Sequence, residues 1–139
     1  MISNRRVVCL VAGLFVAGQA LASPGYAERE QQRLEQVQAS AGEPVDSVRF
    51  YRTRSWEPLG DHSLLVWESS QRAYLLEVDT PCNELPWAKT IAIVTQTHML
   101  NARFDKVKVG NQDCRIMQIR PIDVNSLKAA ERETRQAGK

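Results

Sequence analysis

The stretch FDKVKVGNQDCRIMQIRPID, residues 104–123, decides the fold. Its first half alternates: Val107 and Val109 fall on one face of an extended chain, Lys106 and Lys108 on the other. Gly110-Asn111 is a two-residue hairpin dipeptide, and an apolar run resumes soon after it. Such a turn sets the register: Val109 faces Gln112, Lys108 faces Asp113, and Val107 faces Cys114. The opposite charges at 108 and 113 favour that pairing by a few tenths of a kcal/mol. Pro121 has no N–H for a ladder and ends the second strand. Cys114 therefore sits beside a core valine, and its role is the next question.

The N-terminus bears on it. MISNRRVVCLVAGLFVAGQALASPGYA opens with Arg5 and Arg6 and continues with an apolar run over residues 7–17. Ala20 and Ala22 then supply the small residues ahead of a cut before Ser23. This is the pattern of a secretory signal peptide, residues 1–22, cleaved after Ala22. The apolar run is short for an uncleaved anchor, so no membrane span is expected after cleavage. The expected location is periplasmic or secreted. The full chain has 18 basic and 16 acidic residues; the leader takes two arginines and no acid, leaving 16 against 16. The basic excess belongs to export and does not point to a nucleic-acid partner. About 117 of the 139 residues remain, enough for one domain with a modest core.

Cys9 leaves with the leader, so Cys82 and Cys114 are the two that stay. An even count in an exported chain predicts a disulfide between them. Closing a 32-residue loop, it stabilises by roughly 3–4 kcal/mol on the chain-entropy account. Zinc and a reactive thiol are the alternatives. Zinc wants four ligands, and His62 and His98 stand alone without metal-site spacing. A catalytic thiol wants a base and must survive an oxidising compartment. Neither a metal nor a cofactor is expected.

Residues 26–41, YAEREQQRLEQVQASA, are rich in helix formers but carry little to bury beyond Leu34 and Val37. Gly42 and Pro44 end the pattern. Residues 23–43 thus read as a mobile, partly helical N-terminal arm, and residues 44–139 as a single β-rich domain ending in a helix. HSLLVWES and RAYLLEV (residues 62–69 and 72–78) form a hairpin. Their consecutive apolar residues, Leu64 to Trp67 and Tyr74 to Leu76, suggest strands covered on both faces or a tightly curled sheet. CNELPWAKTI, with Leu85, Ala88 and Ile91 three apart, suits a short helix, and IAIVTQT another strand. After Pro121, Asp123 or Asn125 can cap a final helix at residues 126–137. The fold expected is α+β and mostly β: a small antiparallel curled sheet or partly open barrel. It carries the short helix after Cys82, a C-terminal helix across an open edge, and one disulfide.

WEPLGD, LLVW, AYLLEV, a cysteine before a helix-like turn, FDKV and CRIMQIRPID occur in that order. In these segments the chain resembles a family of small exported bacterial proteins, mainly proteobacterial, classed as a domain of unknown function. The likeness covers residues 45–130, and its most specific part is C-R-I-x-x-I-R-P-x-D. It implies a location in the cell envelope, supports pairing Cys82 with Cys114, and names no catalytic residue.

No nucleophile elbow, metalloprotease helix, P-loop or dinucleotide fingerprint occurs. Asp61-His62 is the nearest thing to an acid–base pair, with Arg52 and Arg54 the arginines closest to it in sequence. Neighbours on a strand face opposite ways, so the two act together only if the turn bends them into contact. RFYRTRSW, residues 49–56, interleaves Arg49, Arg52 and Arg54 with Phe50, Tyr51 and Trp56. On a single strand Phe50, Arg52, Arg54 and Trp56 would share one face. Arg49, Tyr51, Arg52, Arg54 and Trp56 are the candidate binding residues. Export and the neutral mature chain argue against nucleic acid there. Arg115 is expected near Asp105 across the hairpin, and Arg120 near the final helix. Size, a stapled β-rich body and the missing signatures favour a non-catalytic module for an envelope protein, glycan or small ligand. The alternative is a small hydrolase-like enzyme built around Asp61 and His62.

Overall fold

The computed structural model describes residues 25–138; the expected leader and its cleavage point lie outside them. Helix α1 (Tyr26–Ala39) leads into strands β1 (Ser47–Arg49), β2 (Ser55–Pro58), β3 (Ser63–Ser69) and β4 (Arg72–Val78). A 3-10 turn (Leu85–Trp87) precedes β5 (Ile91–Val94), β6 (Met99–Asn101), β7 (Lys106–Val109), β8 (Gln112–Pro121) and helix α2 (Val124–Ala137). The β7–β8 hairpin has the register that its turn dictates: Val109 opposite Gln112, Lys108 opposite Asp113, Val107 opposite Cys114. Gly110 supplies the turn with a φ of +57°.

Six strands form one antiparallel sheet in the order β2-β3-β4-β8-β7-β5, curled into a half-barrel. β1 and β6 form a separate two-stranded ladder, Ser47 opposite Asn101 and Arg49 opposite Met99. The curl explains the unbroken apolar runs. Leu64, Val66, Tyr74 and Leu76 face the inside of the half-barrel with Phe50, Leu100, Val107, Val109, Ile116 and Ile119. Leu65, Ala73 and Leu75 face the other way, against Val37 of α1 and Val124 and Leu127 of α2. Both faces of β3 and β4 are therefore core, and neither can alternate with polar residues.

On β8, Val78 pairs with Ile116 but Glu77 pairs with Gln118, so Met117 is the extra residue of a bulge. The bulge shifts the pleat by one, and Ile116 and Ile119, three apart, both point inward. The curl of the sheet is accommodated there.

Cys82 and Cys114 form the expected disulfide, with Cα atoms 5.9 Å apart. It ties the middle of the 79–84 connection to β8. Two further straps lie beside it: Asn111 N donates to Glu84 Oε2 at 3.1 Å, and Gln112 Nε2 to the Pro81 carbonyl at 2.8 Å. The helix expected after Cys82 is a single 3-10 turn, because Ala88 is already extended (ψ 131°) on the way into β5.

Three further expectations are corrected: the strand over residues 49–56, the place of α2 and the reach of Arg120. Residues 49–56 are not one strand. Phe50 turns into the core, residues 50–54 cross between the two sheets, and Trp56 lies on β2 opposite Val66. Helix α2 covers the outer face of β3 and β4 with α1, rather than an open edge. Arg120 reaches the other way, donating to the carbonyls of Gly42 (2.8 Å) and Ala41 (3.2 Å). Asp123 caps α2 by accepting from Ser126 N at 3.1 Å. The segment read as an arm carries α1, whose Val37 is fully buried and whose Arg33 donates to Glu57 and Glu131 at 2.9 Å each. Those carboxylates push the Arg33 guanidinium pKa up.

Candidate functional site

The β1–β6 ladder continues one step past its strands: Phe50 N donates to the His98 carbonyl at 2.9 Å. Phe50 then anchors inward, edge-on to Tyr74 with ring centroids 6.3 Å apart. The next residue, Tyr51, must face outward. It stacks on the His98 ring at a centroid distance of 5.2 Å and an interplanar angle of 30°. His98 is held in the left-handed region (φ +55°), which turns the chain into β6. Tyr51 N donates to Glu68 Oε1 at 3.1 Å, and Arg54 N to the Trp67 carbonyl at 2.8 Å. The loop is thus fixed to β3 at both ends. Glu68 is a buried carboxylate; besides Tyr51 N it accepts from Arg72 Nη1 at 3.4 Å. Both burial and the nearby Glu68 charge push the Tyr74 phenol pKa up.

Four of the five expected binding residues lie on this rim. Arg49 ends β1, and Tyr51, Arg52 and Arg54 occupy the loop; all four are exposed. Among the described residues none of these three arginines has an ion-pair partner. Trp56 does not join them: it is half-buried and packs against the core. His98 is the rim residue that sequence reasoning left out. Its signal is nonlocal, because it meets Tyr51 only through the pairing of strands fifty residues apart. A planar aromatic platform beside unpaired guanidiniums suits an anionic or planar group, through charge-assisted hydrogen bonds and stacking.

Asp61 and His62 lie in the turn between β2 and β3, closed by Leu59 N donating to the Ser63 carbonyl at 2.8 Å. Gly60 (φ +89°) bends the turn so that Asp61 Oδ1 and His62 Nδ1 meet at 2.9 Å. The imidazole hydrogen bond is the main reason the Asp61 carboxyl lies below its ordinary pKa. The pair is exposed, and the hydroxyl next to it in sequence, Ser63 Oγ, is buried and without a partner. Arg52 and Arg54 lie beyond the far end of β2, across roughly 13 Å of strand. Arg115 stands opposite Lys106, while the Asp105 carboxylate accepts from Asn101 N at 2.6 Å. Among the described residues no cluster of three or more His, Cys, Asp or Glu is placed to hold a metal ion. No helix of these residues is long and apolar enough to cross a membrane.

Fold and rim together describe a small disulfide-stapled α+β half-barrel with an aromatic and basic loop. The chain belongs to DUF6491, a family of unknown function that matches it over residues 3–138. No curated protein and no solved structure matches it.

Proposed function

We propose that the protein is an exported module of the cell envelope that binds an anionic ligand without chemistry, through the rim of Arg49, Tyr51, Arg52, Arg54 and His98. The observation that carries this is the Tyr51–His98 stack, exposed and flanked by arginines that have no acidic partner. Three uncompensated guanidiniums on one short segment repel each other, and an anion relieves that repulsion. The leader-like pattern of residues 1–22 and the disulfide support export.

Mass spectrometry of the protein from a periplasmic extract tests export: the expected mass is that of residues 23–139 less two hydrogens. An intact N-terminus in that extract would remove the export reading. A polygalacturonate oligosaccharide serves as the anionic probe, with its methyl ester as neutral control. The expected result is NMR shifts confined to Tyr51 and His98, and an affinity about tenfold lower in Arg52→Ala/Arg54→Ala. Equal response to both probes, or none to either, sinks the anion reading.

The second reading, a hydrolase-like site, draws on the 2.9 Å Asp61–His62 contact. Any ester hydrolysis by the purified protein that persists unchanged in His62→Ala eliminates it.

A further inference from the structure

The half-barrel has two edges, and they differ. The β2 edge carries Glu57, clamped by Arg33 at 2.9 Å, and Pro58, which offers no N–H. The β5 edge, Ile-Ala-Ile-Val, has no charge, proline, glycine or bulge. β5 pairs only with β7, and among the described residues no other hydrogen bond reaches residues 91–94. Each residue in an antiparallel ladder sends its N–H and C=O to the same side. The two-residue turn makes Val109 and Val107 bond across to β8, so Lys108 and Lys106 bond to Ala92 and Val94. Ile91 and Ile93 are left with both backbone groups directed outward. Their side chains pack inward, whereas Ala92 and Val94 are exposed on the outer face, with Phe104 beside Val94.

We infer that this edge pairs with the same edge of a second copy, antiparallel about a two-fold axis through Ala92. In that register Ile91 faces the partner's Ile93, and Ile93 the partner's Ile91. All four outward N–H and C=O pairs of the two strands are satisfied, reciprocally, as an isologous contact requires. Ala92 meets its own copy, and Val94 meets Thr90. The charges fit as well. Lys89, at the bend two residues before β5 of one copy, comes to the end of the joint where Thr95 of the other leaves its strand, and extending the β5–β7 register by one residue puts Thr95 opposite Asp105. Each end of the joint therefore sets a lysine towards a carboxylate. Lys106 and Lys108 lie one strand further in on each copy, about 14 Å from their counterparts and beyond a Debye length at physiological salt. A four-residue joint is small, so the dimer is a weak one, with a Kd on the order of 10–100 µM.

Sedimentation of the purified protein across that range, with hydrogen exchange on the same samples, tests the inference. The expected result is a monomer–dimer equilibrium in which concentration slows exchange at the Ile91 and Ile93 amides and not elsewhere. Ala92→Lys sets two like charges face to face on the exposed side and should abolish the dimer without lowering the melting temperature. Ala92→Thr should retain it. Ala92→Cys should cross-link under mild oxidation, because the two Cα atoms come to about 4.5 Å in this register. A monomer at every concentration, a dimer that survives Ala92→Lys, or exchange at Ile91 and Ile93 that ignores concentration overturns it.

Discussion

At the scale of the residue, Gly110 is the position with least freedom. It combines a left-handed φ of +57° with a site where an added Cβ would run into the Glu84 carboxylate, the group that accepts from Asn111 N. Gly110→Ala therefore meets its cost chiefly in the left-handed backbone, the exposed Glu84 carboxylate swinging aside at the loss of its bond to Asn111 N, and is expected to lower stability by about 1–3 kcal/mol. Urea denaturation measures it, and a change below measurement error would show that the turn re-forms differently. The Asp61–His62 contact makes a second point about single residues. Asp61 is depressed from an ordinary value of 3.8 chiefly by the imidazole hydrogen bond. A carboxyl whose folded pKa is lowered contributes stability above its unfolded pKa and loses it as pH falls through the folded one. In His62→Ala the Asp61 midpoint, read by NMR, should rise towards the ordinary value, with the backbone hydrogen bond to the carboxylate still lowering it. The small stability difference from wild type should close in acid, below that range. An unmoved midpoint would place the cause in the backbone of the turn.

At the scale of the element, α1 shows why apolar content alone understates attachment. Leu34 and Val37 are nearly its whole apolar contribution, yet Arg33 bridges Glu57 on β2 and Glu131 on α2. These partners lie 24 and 98 residues away, so no local pattern reveals them. Arg33→Ala leaves two carboxylates side by side. It is expected to cost about 1–2 kcal/mol, discounted for partial exposure, and to speed amide exchange in α1 above all other elements. Uniform acceleration would mean that α1 and the sheet open together. The same contrast governs what the sequence made legible. The β7–β8 hairpin could be read to the residue because its turn, alternation and charge pair are all local. The double burial of β3 and β4 was visible in their unbroken apolar runs. β6 and its pairing with β1 were not visible, since three-residue strands pairing across about fifty residues carry no periodicity. Residues 49–56 looked like one strand because aromatic and basic residues alternate there, but Phe50 is drawn into the core and breaks it. On the candidate rim, Arg49, Tyr51, Arg52 and Arg54 could be named from composition. His98 could not, because its part depends on the β1–β6 pairing.

At the scale of the whole molecule, the disulfide closes the 32-residue segment that holds the 3-10 turn, β5, β6 and β7. This segment contributes three short strands, two of which, β5 and β7, form one flank of the half-barrel. β7–β8 pairing, the β1–β6 ladder, the straps at Glu84 and Gln112 and the backbone bonds of Ala102 to Asp46 and of Arg103 and Asp105 to Ile116 also hold it to the rest, and Leu85, Leu100, Val107 and Val109 pack in the core. Loop closure predicts roughly 3–4 kcal/mol from the cross-link. For a domain of this size that is a fall in melting temperature of about 10–20 °C on reduction or in Cys82→Ala/Cys114→Ala. Far-UV circular dichroism at low temperature should be retained, because both cysteines point into a core whose other members are unchanged. The loss should also be uneven. β3, β4, α1 and α2 share a core that contains neither cysteine, so their amides should stay protected in the reduced protein while those of β5 and β7 exchange faster. A melting shift of only a few degrees, with β5 still protected, would show that the unfolded chain stays compact without the cross-link, so that closing the 32-residue loop removes little of its entropy.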